Sequence, residues 1–382
     1  MAEPRLRLAR HAAPEEWAKY ETAHRQFQGI PGIERMPDGR LWATWYSGGT
    51  GEGPENFVLL VTSQDDGLTW SEPLAVVDPP GHTRAFDPCL WRDPLGRLWW
   101  FWAESDSPKM GEIMDGRGGV WAARLEGESP EELKFTRPVR IANGVMMNKP
   151  TVLSNGEWLL PTAVWACWHV KAEDLAGERF SNATVSTDAG ESFTLRGGAD
   201  VPDRCFDEHL FVELNDGRVW CLVRTFYGIG QSFSSDQGRT WTPGEDSGLG
   251  GPNSRFFIRR LASGRLLLVN HIDVTAMESG QAWRAGRSWR RRSHLAALLT
   301  EDEGATWIGP LLLDERDGVS YPDGVQAEDG RIFIIYDHDR AGAGEILLAC
   351  FREEDILAGA CVSPDAFLRR LVNRTGGVRS PR

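Results

Sequence analysis

The chain has 382 residues, 41% hydrophobic and 25% charged, the ordinary proportions of a globular protein. Its formal net charge of −13 argues against nucleic acid or an anionic membrane as the main partner, since both demand a basic surface. Six scattered cysteines with no CxxC pair argue against a zinc or redox cluster, and those inside apolar runs such as VWACWHV and RVWCLVR are expected as buried free thiols.

In chain order, the N-terminal MAEPRLRLARHAAPEEW lacks the apolar core of a secretory signal, and no apolar run is long enough to span a bilayer. The chain as it stands is therefore expected in the cytoplasm. Then, six times, a turn with Gly and a polar residue leads into a run of apolar and aromatic residues: PDGRLWATW, PLGRLWWFW, SNGEWLLP, NDGRVWCLV, SGRLLLV and EDGRIFIIY. The glycines are Gly39, Gly96, Gly156, Gly217, Gly264 and Gly330, with gaps of 57, 60, 61, 47 and 66 residues. Asp-Gly and Asn-Gly centre tight hairpins because both residues tolerate positive φ, and the runs that follow are short and rich in β-formers. Six such units predict an all-β fold, a six-bladed β-propeller with one sheet per blade. Seventeen tryptophans suit both a β-rich core and a sugar-binding cleft.

A second repeat alternates with the first: SQDDGLTW from Ser63, STDAGESF from Ser186, SSDQGRTW from Ser234 and TEDEGATW from Thr300. Its place after the first hairpin puts it at a later turn of the same blade. Asp there accepts turn amides, Gly relieves backbone strain and Trp packs on the blade, so the box reads as scaffold, not catalyst. The blades are expected over about 25–350. REEDILAG and PDAFLRRLVN carry helical spacing and predict a short helical tail over about 351–382, all within one domain.

Chemistry in such a ring belongs to polar residues at the ends of inner strands, around the central channel. In FDEHLFVELNDGRVWCLVRT, Asp207 and Glu208 precede an apolar strand and Arg224 ends its hairpin partner, so all three reach one edge, facing a pocket or solvent. In VSYPDGVQAEDGRIFIIYDHDR, Tyr321 precedes a last-blade strand as Glu208 does in the fourth, either packed or, beside a carboxylate, a nucleophile. Arg287, Arg290, Arg291 and Arg292 crowd RSWRRRSHLAALLTEDEGATW, and one of them facing the pocket would suit an anionic ligand. The loop SGGTGEGPENF holds Glu52 and Glu55 and lacks the Lys and spacing of a phosphate loop.

Together these residues resemble the sialidase (neuraminidase) superfamily, six-bladed propellers with Asp-box repeats, over about Gln28 to Asp337. In that family a Glu precedes a strand ending in a carboxylate-gripping Arg; DEHLFVELNDGRVWCLVR is similar and implies those roles for Glu208 and Arg224. The family's nucleophilic Tyr stands eight residues before a DG turn, as Tyr321 stands before Asp329. RSHLAALLTEDEG implies a second binding Arg at Arg292. The family's acid, an Asp about eleven residues before the first box, is matched by Glu52, eleven before Ser63, with Glu55 in reserve. The family opens its first blade with RIP, whose Arg is the first of three. Here QGIPGIERMPDGRLWATW places Gly29 there. Arg84 and Asp87 in GHTRAFDP, Arg255 in PNSRFF, and His24 are the candidates to complete the substrate-binding set.

The resemblance implies a retaining exo-glycosidase on a terminal acidic sugar of a glycan or oligosaccharide, with Tyr321 as nucleophile, Glu208 as its base and Glu52 as acid. Neither cofactor nor metal is expected. Two other classes fit the same pattern. One is a lyase on uronic acids using Tyr, His82 or His169; the other is a non-catalytic carbohydrate-binding propeller.

Overall fold

The computed structural model describes residues 5–106, 115–127, 132–165, 173–273 and 291–377. Six antiparallel sheets follow one another along the chain, each ordered from an inner to an outer strand. The innermost strands are Gln28–Arg35, Thr83–Arg92, Thr151–Val152, Arg204–Glu213, Phe257–Arg260 and Val319–Gln326, which define blades 1 to 6. Each is joined to its neighbour by one of the six glycine turns, where Gly39, Gly96, Gly156, Gly217, Gly264 and Gly330 all have φ between 79° and 91°. Glycine fills these positions because other residues are strained there. The propeller expected from the repeats is the fold observed.

The apolar faces meet between blades. Trp91 of blade 2 stacks edge-on to Trp158 of blade 3 at 4.8 Å, and Leu222, Leu268 and Ile334 of blades 4, 5 and 6 share one buried cluster. Cys89, Cys221 and Cys350 are buried free thiols, as expected; Cys361 is a free thiol but exposed.

The Asp boxes occupy the turn between the third and fourth strands of blades 1, 3, 4 and 5. All four are wired alike. In blade 4, Ser234 Oγ donates to Asp236 Oδ1 at 2.8 Å and accepts the Gly238 amide at 2.8 Å, while Thr240 donates its amide (2.8 Å) and hydroxyl (2.6 Å) to Asp236. The box glycine then lets the turn dock on a neighbouring blade. A methyl group at Gly304 would lie 2.7 Å from Trp220 of blade 4, and one at Gly67 would lie 2.5 Å from Leu348 of blade 6. The expectation of a folding device matches this geometry.

Blade 6 is built entirely from the C-terminal part of the chain, and the tail departs from expectation. Glu353–Ala358 is a helix, ended by Gly359 in the left-handed region at φ 66°. Phe367–Arg374, whose spacing reads as helical, is instead the fourth strand of blade 6, paired antiparallel with Glu345–Phe351. The open edge of that sheet supplies a ladder of backbone partners, interrupted by two register shifts, which outweighs local propensity. The ring closes through polar contacts between its ends: Arg25 Nη2 donates to Asn373 Oδ1 (2.9 Å), Gln28 Nε2 to the Gly344 carbonyl (2.8 Å), and the Ile33 amide to Asp323 Oδ2 (2.9 Å).

The axis is filled by charge. Lys149 Nζ donates to the carbonyls of Ile33 (2.5 Å) and Leu90 (2.6 Å) and lies 3.2 Å from Glu34 and 3.3 Å from Asp323. Arg255 is wholly buried in the same network, bonded to Asn148 Oδ1 and to the carbonyls of Pro31 and Met147, and 3.5 Å from Asp323. These bonds tie inner strands of different blades, and desolvated groups so fully paired hold the centre together. Among the described residues, no helix is long and apolar enough to cross a membrane.

Candidate active site

Four innermost strands are interrupted near their start by a register shift: between Gly29 and Gly32, Phe86 and Cys89, Asp207 and Leu210, and Ser320 and Asp323. At each, a non-glycine residue takes a left-handed conformation: Ile30 (φ 56°), Asp87 (48°), Glu208 (44°, after Asp207 at 54°) and Tyr321 (56°). A bulge re-aims the side chain it carries, and strained positive-φ residues persist where the surroundings over-determine them. Because the blades repeat one topology, the four bulges gather at one mouth of the channel.

Tyr321 and Glu208 meet there although they are far apart in the chain. The Tyr321 hydroxyl donates to Glu208 Oε1 at 3.3 Å and accepts from Arg224 Nη1 at 3.0 Å. Arg224 Nη1 also donates to Glu208 Oε1, and its Nε donates to Asn253 Oδ1 at 2.5 Å. Burial alone would lower the proton affinity of Arg224, but Glu208 and then Tyr321 raise it, so the guanidinium stays charged. Glu208 Oε2 is buried without a hydrogen-bond partner, an acceptor left open beside the phenol. The hairpin explains the pairing: Asp207 stands opposite Arg224 in the ladder, and the bulge turns the next residue, Glu208, into the same space. Asp207 itself is turned away, bonded to Ser181 Oγ at 2.7 Å and paired with Arg204 at 3.0 Å.

Arg292 lies with its guanidinium carbon 5.2 Å from the Tyr321 ring centre and donates to the Asn253 carbonyl at 2.9 Å. A second guanidinium, Arg340, lies 4.6 Å from the same ring centre. It comes from the loop after the second strand of blade 6, and its hydrocarbon stem fills the space over Gly29. A Cβ at Gly29 would lie 2.0 Å from Arg340 Cδ. Arg340 is 3.6 Å from both Glu52 Oε1 and Asp337 Oδ2.

Two carboxyls on the far side of the mouth are driven in opposite directions. Burial tends to raise Glu52, but Arg340, Arg84 and the Tyr46 hydroxyl, 2.6 Å from its Oε1, hold it below the usual range, so it is ionised at neutral pH. Burial pushes Asp87 up to about 8, with Arg84 opposing and Glu208 and Glu52 reinforcing, so it is neutral there. Arg84 is buried with its guanidinium 4.0 Å from the Phe86 ring centre, and its Nε and Nη1 have no hydrogen-bond partner. Carboxyls pushed apart in this way mark sites of proton transfer.

Of the residues singled out from sequence, the mouth thus gathers Tyr321, Glu208, Arg224, Arg292, Glu52, Asp87 and Arg84. Arg255 belongs to the axial network, with its donors committed to backbone and side-chain acceptors. His24 and Glu55 are exposed and line a separate cavity of about 720 Å³ beside Lys19 and Asp78. His82 is exposed. Arg291 is exposed too, and Arg287, Arg290, His169 and Cys167 lie outside the described residues. Nothing in the sequence singles out Arg340, whose loop has no strand period. A signal for the bulges was present: Ile30, Asp87 and Tyr321 each precede a proline, a recurrence at equivalent places.

A family model described as BNR repeat-like domain matches residues 39–334. The fold is similar to that of a protein of unknown function from Dyadobacter fermentans, at 17% identity and TM-score 0.62, covering 89% of this chain and 96% of that one. It is also similar to a Hadza microbial sialidase (17%, TM-score 0.63, covering 88% and 67%). The intramolecular trans-sialidase of Ruminococcus gnavus is a third (13%, TM-score 0.64, covering 91% and 98%). No curated protein matches the chain. At such identities the likeness is one of fold.

Proposed function

Since the chain belongs to the family of BNR repeat-like domains, we propose that it is a retaining exo-glycosidase that removes a terminal acidic sugar. The observation that carries this reading is the Tyr321 hydroxyl held between Glu208 and Arg224, under two further guanidinium groups. Tyr321 Oη attacks the anomeric carbon as its proton passes to Glu208. A phenol suits a substrate with its own carboxylate at the reacting centre, where a carboxylate nucleophile would be repelled; tyrosine is the recognised exception among retaining glycosidases. Arg224 and Arg292 bind the substrate carboxylate through charge-assisted hydrogen bonds.

Glu52 protonates the leaving oxygen. Arg340 and Arg84, with a smaller share from Arg292, hold Glu52 ionised, and an incoming carboxylate offsets their field, so Glu52 takes up its proton as the substrate arrives. It then serves as base for the water that releases the sugar from Tyr321. Asp87, already neutral, is a hydrogen-bond donor to the substrate.

The test is a screen of purified protein against aryl glycosides of sialic acid, related keto-acids, uronic acids and rhamnose. Turnover of an acidic glycoside is expected, with Tyr321→Phe losing at least about a thousandfold in kcat while keeping its melting temperature. Full activity in that variant, or no acidic glycoside cleaved, overturns the reading. An unsaturated product absorbing in the near ultraviolet would make it a lyase.

A further inference from the structure

Arg224 and Arg292 bring only part of their donors to a ligand. Arg224 spends donors on Glu208, Tyr321 and Asn253, and Arg292 spends Nη2 on the Asn253 carbonyl. Arg340 differs. Its polar contacts with described residues are two ion pairs at 3.6 Å, to Glu52 and Asp337, and it makes no hydrogen bond to them. Such long pairs fix a charge in place without using its donors. The guanidinium has five N–H groups in a fork that matches a carboxylate, and here the fork lies 4.6 Å over the Tyr321 ring with a fifth of the side chain exposed. Its anchor is buried: Asp337 accepts the Ile30 amide (2.8 Å) and the Ser320 hydroxyl (2.7 Å), so one carboxylate ties the blade 1 bulge, the residue before Tyr321 and Arg340 together.

The seat exists because residue 29 has no side chain. A Cβ there would stand 2.0 Å from Cδ and 2.6 Å from Cγ of Arg340, closer than atoms pack. The φ of Gly29 is not in the left-handed region, so conformation does not demand glycine at this position. The space does. Gly29 and Arg340 therefore form one unit, contributed by the first and last blades.

We propose that Arg340, seated over Gly29, is the principal group that receives the carboxylate of an acidic sugar, and that Gly29 is kept side-chain-free to admit it. This rests on the substrate class proposed above. Calorimetric titration with the methyl glycosides of N-acetylneuraminic acid and of glucuronic acid, each beside its own methyl ester, separates the two ideas. Wild type is expected to prefer at least one acid over its ester. Arg340→Ala should lose roughly 10- to 100-fold for the acid with ester binding unchanged, and Arg340→Lys should keep part of the preference. Gly29→Arg should lower the melting temperature, and the double variant with Arg340→Gly should recover it. If Arg340→Ala keeps the wild-type preference for acid over ester, the proposal falls and the proposed function stands. If wild type prefers neither acid, the proposed function falls and takes this inference with it. If Gly29→Arg melts as wild type does, the shared space is disproved.

Discussion

Two sets of carboxyl groups in this ring share a chemistry and differ in their surroundings. The box aspartates Asp65, Asp188, Asp236 and Asp302 sit at the outer turns, and hydroxyl and amide donors from the same turns hold each down to about 2. Every acceptor is met within eight residues of chain, and the charge is solvated. At the mouth, Asp87 is buried and pushed up to about 8, Glu208 keeps an oxygen without a partner, and Glu52 is held ionised chiefly by arginines from elsewhere in the fold. A carboxyl satisfied locally stabilises a turn. A carboxyl satisfied only across blades, and incompletely, is left with capacity for a ligand or a proton.

The contrast can be broken by substitution, beginning where the effect is largest. Glu208→Gln keeps the shape of the mouth and removes the proposed base, so kcat should fall by about 10²- to 10⁴-fold with little change in melting temperature. If the loss is in stability instead, Glu208 belongs with the boxes. Glu52→Gln should cost about a hundredfold on glycosides with poor leaving groups and much less on nitrophenyl glycosides, which need no proton. Asp87→Asn should raise KM without that leaving-group dependence; the reverse pattern would exchange the roles of the two.

Stability against pH sharpens the comparison. The unfolded chain ionises Asp87 near pH 4, whereas the folded chain holds its proton to about 8. Across that window the native state binds more protons, so this group makes folding less favourable as pH rises. Asp207, pushed up to about 6, acts the same way over a narrower range. His209 and His271, pulled by burial down to about 4, act oppositely below pH 6.5. Asp87→Asn should therefore gain stability relative to wild type steadily from pH 4 to 8 in urea titrations; a constant difference would mean that Asp87 is ionised throughout. The smallest effect is expected at a box. Asp236→Ala removes the acceptor for Ser234, Arg239 and Thr240 and should cost about 1–2 kcal/mol with kcat unchanged.

How much of this was legible in the sequence follows the same division. The glycine turns and boxes are local, so their residues report their structure directly, and the blades could be counted from six glycines. The meeting of Glu208 with Arg224 was legible because both belong to one hairpin. The tail strand was not, since Phe367–Arg374 takes its conformation from the edge of Glu345–Phe351 and not from its own spacing. Arg340 was hidden for a deeper reason: its position depends on an absent side chain more than 300 residues earlier in the chain. The split between Asp87 and Glu52 arises from burial and distant arginines, neither of which has a sequence pattern.

The central claim is that Tyr321 forms a bond to the sugar. An activated, ring-fluorinated glycoside of whichever acidic sugar is turned over should slow release of that intermediate enough for peptide mapping by mass spectrometry. One glycosyl unit is expected on the peptide that carries Tyr321, and none in Tyr321→Phe. A glycosyl unit on any other residue, or steady turnover of that compound with Tyr321 unmodified, would contradict it.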